Sequence, residues 1–238
     1  MKKTILILHG WGVNGEKYQI IVGMLKEKGW VAFSPDLPGF GKEKLLKKTM
    51  NVDDYVDFVR DFIRKKKLSN IVLVGHSFGG RIAIKLAASG EGTITGLILT
   101  GSAGIKPKLA LYKRFIMYIA ILLGELFRFP LLANAKNILR KILYFAIGEW
   151  DYYNAGDIRE TFKKVIAEDL IDYLHNIRVP TLLVWGAKDN VIQLIYGKMM
   201  KERISASALV VVEGAGHKLP YANPKEFINA IMPFLQKI

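Results

Sequence analysis

Six short apolar runs, separated by longer amphipathic stretches, constrain this chain more than any other feature. They are Thr4–Leu8, Val31–Ser34, Ile71–Val74, Leu97–Thr100, Leu182–Trp185 and Leu209–Val212. Each is nearly uninterrupted in hydrophobicity, as a strand covered on both faces has to be. Strands alternating with helices predict a doubly wound, mostly parallel α/β sheet. At 238 residues one such core is sufficient.

The stretches between the runs carry helix signals. Asn51-Val52-Asp53-Asp54 supplies a cap and early acids, and Val52, Tyr55, Val56, Val59, Phe62 and Ile63 follow at helical spacing. Between Asn14 and Lys28, the residues Ile20, Ile21, Met24 and Leu25 predict one buried face, with Gly29 as the stop. A helix is expected from Phe78 to Ser89. A last one is expected from Pro224 to about Gln236, interrupted or closed near Pro233.

From Gly104 to Ile177 the rhythm breaks. Tyr112, Phe115, Ile116, Ile119, Leu122 and Leu123 recur at helical spacing, which predicts a helical cap inserted between two strands. The expected organisation is therefore a core of residues 1–103 and 178–238 around a cap of residues 104–177. Phe115–Gly124 is ten residues without a charge, about half the length needed to cross a bilayer. Phe115, Ile119 and Leu122 are the expected contacts for an apolar part of a substrate.

Charge is concentrated in the same insertion. The chain carries +14, and Ile105–Phe145 holds eight basic residues against one acid, a net +7. A solvated lysine-rich face explains this; attraction to an anionic membrane surface or to an acidic substrate is the sharper alternative. No nucleic-acid partner is called for. Met1-Lys2-Lys3 before Thr4–Leu8 imitates the start of a signal peptide. The apolar run is short, however, and His9-Gly10-Trp11-Gly12 follows it, so a buried strand and a cytoplasmic protein are expected. The chain has no cysteine, which excludes a disulfide framework and a thiol nucleophile.

Gly75-His76-Ser77-Phe78-Gly79 fits G-x-S-x-G between an apolar strand and a helix. Such a turn is tight enough to need small residues two before and two after the serine, and it leaves the hydroxyl clear at the strand end. Serine at its free pKa is a poor nucleophile and needs a base. Of the four histidines, His217 stands in Gly214-Ala215-Gly216-His217, directly after an apolar strand. His9 and His76 sit inside motifs and read as structural, while His175 lies in the insertion. The base in turn needs a carboxylate on its other nitrogen. Asp189 follows a strand through Gly186-Ala187-Lys188, with Asp169 and Asp172 as weaker candidates. Backbone N–H groups of Trp11 and Phe78 are the expected oxyanion donors.

With these pieces in order, the chain resembles the α/β-hydrolase superfamily in its cap-bearing serine esterase and lipase-like branch. The resemblance rests on His9-Gly10-Trp11, Asp36-Leu37-Pro38-Gly39-Phe40-Gly41, Gly75–Gly80, Val184-Trp185-Gly186-Ala187-Lys188-Asp189 and Gly214–His217. Two departures stand out. The chain starts directly on the family's first parallel strand, which predicts about six strands. Asn190-Val191-Ile192-Gln193 also replaces the proline that often follows the acid. The resemblance implies ester cleavage through an acyl-enzyme with neither cofactor nor metal, and the apolar cap residues point to an apolar acyl group. Carbon–carbon bond hydrolysis of a diketone-like acid and a ligand sensor with an intact triad are the alternatives. Nucleophilic aspartate chemistry is disfavoured by the serine at the elbow.

Overall fold

A computed structural model describes residues 4–106 and 158–238. Its sheet has six strands, all parallel, in the spatial order β2-β1-β3-β4-β5-β6. They are β1 Thr4–Leu8, β2 Val31–Phe33, β3 Ile71–His76, β4 Ile94–Thr100, β5 Thr181–Gly186 and β6 Ser207–Val212. The chain leaves β1 toward β2 and returns to β3 on the other side of β1. The sheet's switch point therefore lies between β1 and β3, where open α/β sheets place ligands at the carboxyl ends.

All six expected strands are present, with shifted ends. β3 continues through Gly75 and His76, because Gly75 pairs with Leu8 and Leu99 and the ladder needs only its backbone. β2 stops at Phe33, two residues before Pro35, which has no N–H to donate. The expectation that every strand is covered on both faces holds for β1, β3 and β5 but not at the margins. β6 is an edge strand with a partly open face, and Val211 is 36% exposed.

Helix α1 (Gln19–Glu27) follows a 3-10 turn at Gly15–Tyr18. Its buried face is Ile21, Val22 and Leu25; Ile20, expected there, is 61% exposed. The 3-10 turn rotates the helix entry, so the stripe begins one residue later than periodicity suggests. Helix α2 (Val52–Lys65) has a complete capping box: Asp54 N–H donates to Asn51 Oδ1 at 3.0 Å, and Asn51 N–H to Asp54 Oδ2 at 2.8 Å. Helix α3 (Phe78–Ala88) is buried from Phe78 to Ala87 and forms the spine behind the sheet.

The helix Pro224–Leu235 runs through Pro233 without a break. Proline there has no N–H to offer the Asn229 carbonyl, and Asn229 is an exposed residue. Burial of Phe227, Ile228, Ile231 and Leu235 outweighs that loss. A helix at Leu194–Arg203, absent from the sequence reading, joins β5 to β6. Only Gly197 and Met200 are buried on it, too thin a stripe to reveal a period.

Residues 4–106 and 164–238 belong to one compact unit. Within the expected cap segment, Arg159–Ala167 is helical and Ile171–Asn176 is a 3-10 turn. The turn region packs on α3: Arg81 Nη1 donates to the Glu168 carbonyl at 2.8 Å, and Lys85 bridges Glu168 and Asp53 at 2.6 Å each. Burial pushes the Arg81 guanidinium down to about 10.

Candidate active site

The carboxyl ends of β1, β3, β4, β5 and β6 are followed at once by His9, Ser77, Gly101, the Asp189 loop and the His217 loop. One sheet edge thus gathers Ser77, Asp189, His217 and the Trp11 loop.

Ser77 sits between β3 and α3 with φ 52° and ψ −115°, a region that L residues rarely adopt. The surroundings enforce it. A β-carbon on Gly75 would lie 2.7 Å from the Gly80 α-carbon. One on Gly79 would strike the Leu8 carbonyl, and one on Gly80 the Ser102 hydroxyl. Ser77 N–H donates to the Thr100 carbonyl at 3.2 Å, and the Ser77 carbonyl accepts from Gly80 at 3.0 Å and Ala103 at 3.1 Å. The serine is half-buried.

His217 and Asp189 are joined by a 2.9 Å hydrogen bond from Nδ1 to Oδ2. A carboxylate only accepts, so Nδ1 carries a proton, which leaves Nε2 as the nitrogen that can take up another. The carboxylate is itself fixed: Oδ1 accepts from the Val191 and Ile192 amides at 3.0 and 2.8 Å. The Asp189 side chain is 1% exposed and that of His217 16%, so one end is locked and the other reachable. Gly101 supports the pair from β4; a β-carbon there would sit 2.9 Å from Asp189 Oδ2.

Asp169 and Asp172, the weaker carboxylate candidates, lie elsewhere in the hydrogen-bond scheme. Asp169 Oδ1 accepts from the Lys106 and Ile171 amides at 3.3 and 3.1 Å, and Asp172 is exposed. His175 is exposed as well.

The loop after β1 is built around two buried histidines. His9 Nε2 accepts from the Leu37 amide at 2.9 Å, and Nδ1 donates to the Gly10 carbonyl at 2.8 Å. Burial lowers its pKa. His76 Nε2 donates to the His217 carbonyl at 2.9 Å, and its Nδ1 lies 2.6 Å from the Tyr18 hydroxyl. Burial first, and the neighbouring His217 second, push His76 down to about 3. Both rings read as structural in the sequence, and both hold backbone here. Trp11 packs edge-on against Phe40 and Phe78, with centroids 4.9 and 5.2 Å apart. Phe78 is the first residue of α3, where amides have no partner within the helix. Gly79 N–H donates to the His9 carbonyl at 3.0 Å and ties this loop to the elbow.

Phe115, Ile119 and Leu122, and the basic segment beyond Lys106, lie outside the described residues. Among the described residues no three His, Asp or Glu side chains are grouped to hold a metal. Among the same residues no helix is long and apolar enough to cross a membrane. Two supporting positions escaped the sequence reading. Gly101 lies in the small-residue run Gly101-Ser102-Ala103-Gly104 after a strand, a usable signal; Tyr18 has none.

A six-stranded parallel sheet with a positive-φ serine at the elbow after its third strand defines an α/β hydrolase architecture. Residues 5–230 match the model of the α/β hydrolase family, and the chain belongs to that family. It is 24% identical over 260 residues to human monoacylglycerol lipase ABHD6, covering 100% of this chain and 76% of that protein. It is 26% identical over 249 residues to the AB hydrolase superfamily protein YisY of Bacillus subtilis, covering 97% and 90%. The solved esterase EaEST from Exiguobacterium antarcticum has the same fold. Its TM-score is 0.76 at 23% identity, over 98% of this chain and 92% of that one.

Proposed function

We propose that this chain hydrolyses carboxylic esters through an acyl-enzyme on Ser77. The observation that carries the reading is the fixed Asp189–His217 hydrogen bond at the sheet edge where Ser77 stands on its elbow. In the proposed reaction, Ser77 Oγ attacks the ester carbonyl while His217 Nε2 takes its proton. The Trp11 and Phe78 amides stabilise the resulting oxyanion. The tetrahedral adduct collapses, and the alcohol leaves with the proton from His217. Water, deprotonated by His217, then attacks the acyl-enzyme and releases the acid. Asp189 holds the Nδ1–H tautomer and stabilises the imidazolium.

Human ABHD6 is named a monoacylglycerol lipase and EaEST an esterase, which supports an ester as the substrate. An apolar acyl group is the further part of the reading, with residues 104–177 as a helical cap insertion. Each methylene of the acyl chain that is buried contributes about 0.8 kcal/mol. The test is fluorophosphonate labelling together with turnover of p-nitrophenyl esters from acetyl to octanoyl. Expected are labelling at Ser77, its loss in Ser77→Ala, and a kcat/KM that rises with chain length. Labelling retained in Ser77→Ala would overturn the nucleophile. A steady fall with chain length would overturn the apolar acyl group alone.

A further inference from the structure

His76 and Tyr18 are buried side chains that the proposed reaction does not use, yet they join three loops of the site. His76 is 2% exposed and Tyr18 fully buried, and Tyr221 packs against both rings at 5.8 and 5.6 Å.

The direction of every bond between them is fixed by chemistry. The His217 carbonyl only accepts, so the proton of His76 is on Nε2, 2.9 Å away. The ring is held neutral by burial, so Nδ1 carries a lone pair and the Tyr18 hydroxyl must donate to it at 2.6 Å. That hydroxyl oxygen in turn accepts from the Gly10 amide at 3.3 Å. The result is a one-way chain, Gly10 N–H to Tyr18 O–H to His76 to the His217 carbonyl.

We infer that Tyr18 and His76 are positioning residues that set the His217 loop and the Gly10-Trp11 loop relative to each other across the elbow. This rests on the reading of His217 as base and of the Trp11 amide as oxyanion donor. The Lys188 amide holds the loop at the Ala215 carbonyl, 2.8 Å away, and Asp189 fixes the His217 ring at Nδ1. His76 fixes the backbone of the same residue, with the two rings 5.0 Å apart. A neutral ring is the one suited to this place, because His217 becomes an imidazolium in each half-reaction and a second cation would oppose it. The hydroxyl end of the chain holds Gly10, one residue before the Trp11 amide. Both ends of the reacting geometry, the proton acceptor and the oxyanion donor, are thus fixed through one buried pair. Simple core filling would need neither the hydroxyl nor the two ring nitrogens.

The test uses the full chain with p-nitrophenyl butyrate, together with the downfield proton NMR signal of His217 Nδ1–H. Tyr18→Phe removes one oxygen and keeps the packing; it serves where a larger change impairs folding. Expected is a kcat lower by about tenfold in Tyr18→Phe and about a hundredfold in His76→Phe, with KM within about twofold, as misplacement of a reacting group produces. The double variant should be no worse than His76→Phe, because the two act through one chain of bonds. His76→Gln, whose amide can donate to the His217 carbonyl, should recover activity over His76→Phe. The Nδ1–H signal should broaden in both single variants and sharpen again in His76→Gln. Unchanged kcat with an unchanged signal, or losses that multiply in the double variant, would overturn the proposal. If the wild type neither turns over nor labels at Ser77, the reading of the reaction fails. The NMR signal still decides whether the pair positions His217.

Discussion

The α-carbon of Gly101 lies against the imidazole of His217, so close that a β-carbon at residue 101 would sit 3.0 Å from Nδ1. The same atom would be 2.9 Å from Asp189 Oδ2, and residue 101 has φ 46°. Relieving that contact means displacing the Asp189–His217 pair or the Gly101 backbone that packs on it. Gly101→Ala is therefore expected to lower kcat about a hundredfold, as a displacement near 1 Å in a reacting group does. Steady-state kinetics beside a melting curve check this. A variant with wild-type kcat would show that the His217–Asp189 pair tolerates movement.

Replacing Asp189 by asparagine tests the acid with its geometry retained. Oδ1 already accepts two amides, Val191 and Ile192, so asparagine keeps its oxygen there and turns its NH2 toward His217. Nδ1 must then accept, the proton moves to Nε2, and the ring can no longer take a proton from Ser77. A loss in kcat of about 10⁴ is expected with little change in melting temperature. Asp169→Asn should leave kcat nearly unchanged, since among the described residues Asp169 accepts from the backbone of Lys106 and Ile171, away from His217. The reverse ranking would move the assignment to Asp169.

The contrast between what the sequence reveals and what it hides follows from the range of the interactions. The strands are legible because each is a local apolar run, and the α2 cap because Asn51 and Asp54 are three residues apart. Ser77, Asp189 and His217 stand out because each follows a strand through small residues. The chain from Gly10 to His217 is hidden: the His76–His217 bond spans 141 positions and rests on a histidine that looks like filler in its motif. Ile20 is misread for a related reason, since the 3-10 turn before α1 changes the helix entry and leaves no mark in hydrophobic spacing. Pro233 is misread because its rule weighs one lost bond and not the four core residues around it.

The elbow stores strain that a substitution can release. Ser77 holds a backbone conformation costing an L residue about 1–2 kcal/mol, and glycine adopts positive φ freely. Glycine also gains freedom in the unfolded chain, which cancels part of the gain. Ser77→Gly is expected to be inactive yet more stable than Ser77→Ala by about 1 kcal/mol. Urea midpoints of the two inactive variants give the comparison, and an Ala variant as stable as the Gly variant would remove the strain.

Stability should fall on acidification through a window set by His76. In the unfolded chain a histidine titrates near 6.5, whereas in the native protein burial holds His76 near 3. Between these values the unfolded chain binds the extra proton and the native state does not, so stability rises with pH across the window and is lost as pH falls through it. One such group contributes a slope of up to about 1.4 kcal/mol per pH unit. His9, lowered by burial in the same direction, adds to it. Phenylalanine at residue 76 cannot take the proton, so His76→Phe should start from a lower stability at pH 7 but lose less of it between pH 6 and pH 4. Urea unfolding of the wild type and the variant at half-unit steps measures both slopes. Parallel slopes would mean that His76 is charged in the folded protein. In that state its Nδ1 would carry a proton and could not accept from Tyr18.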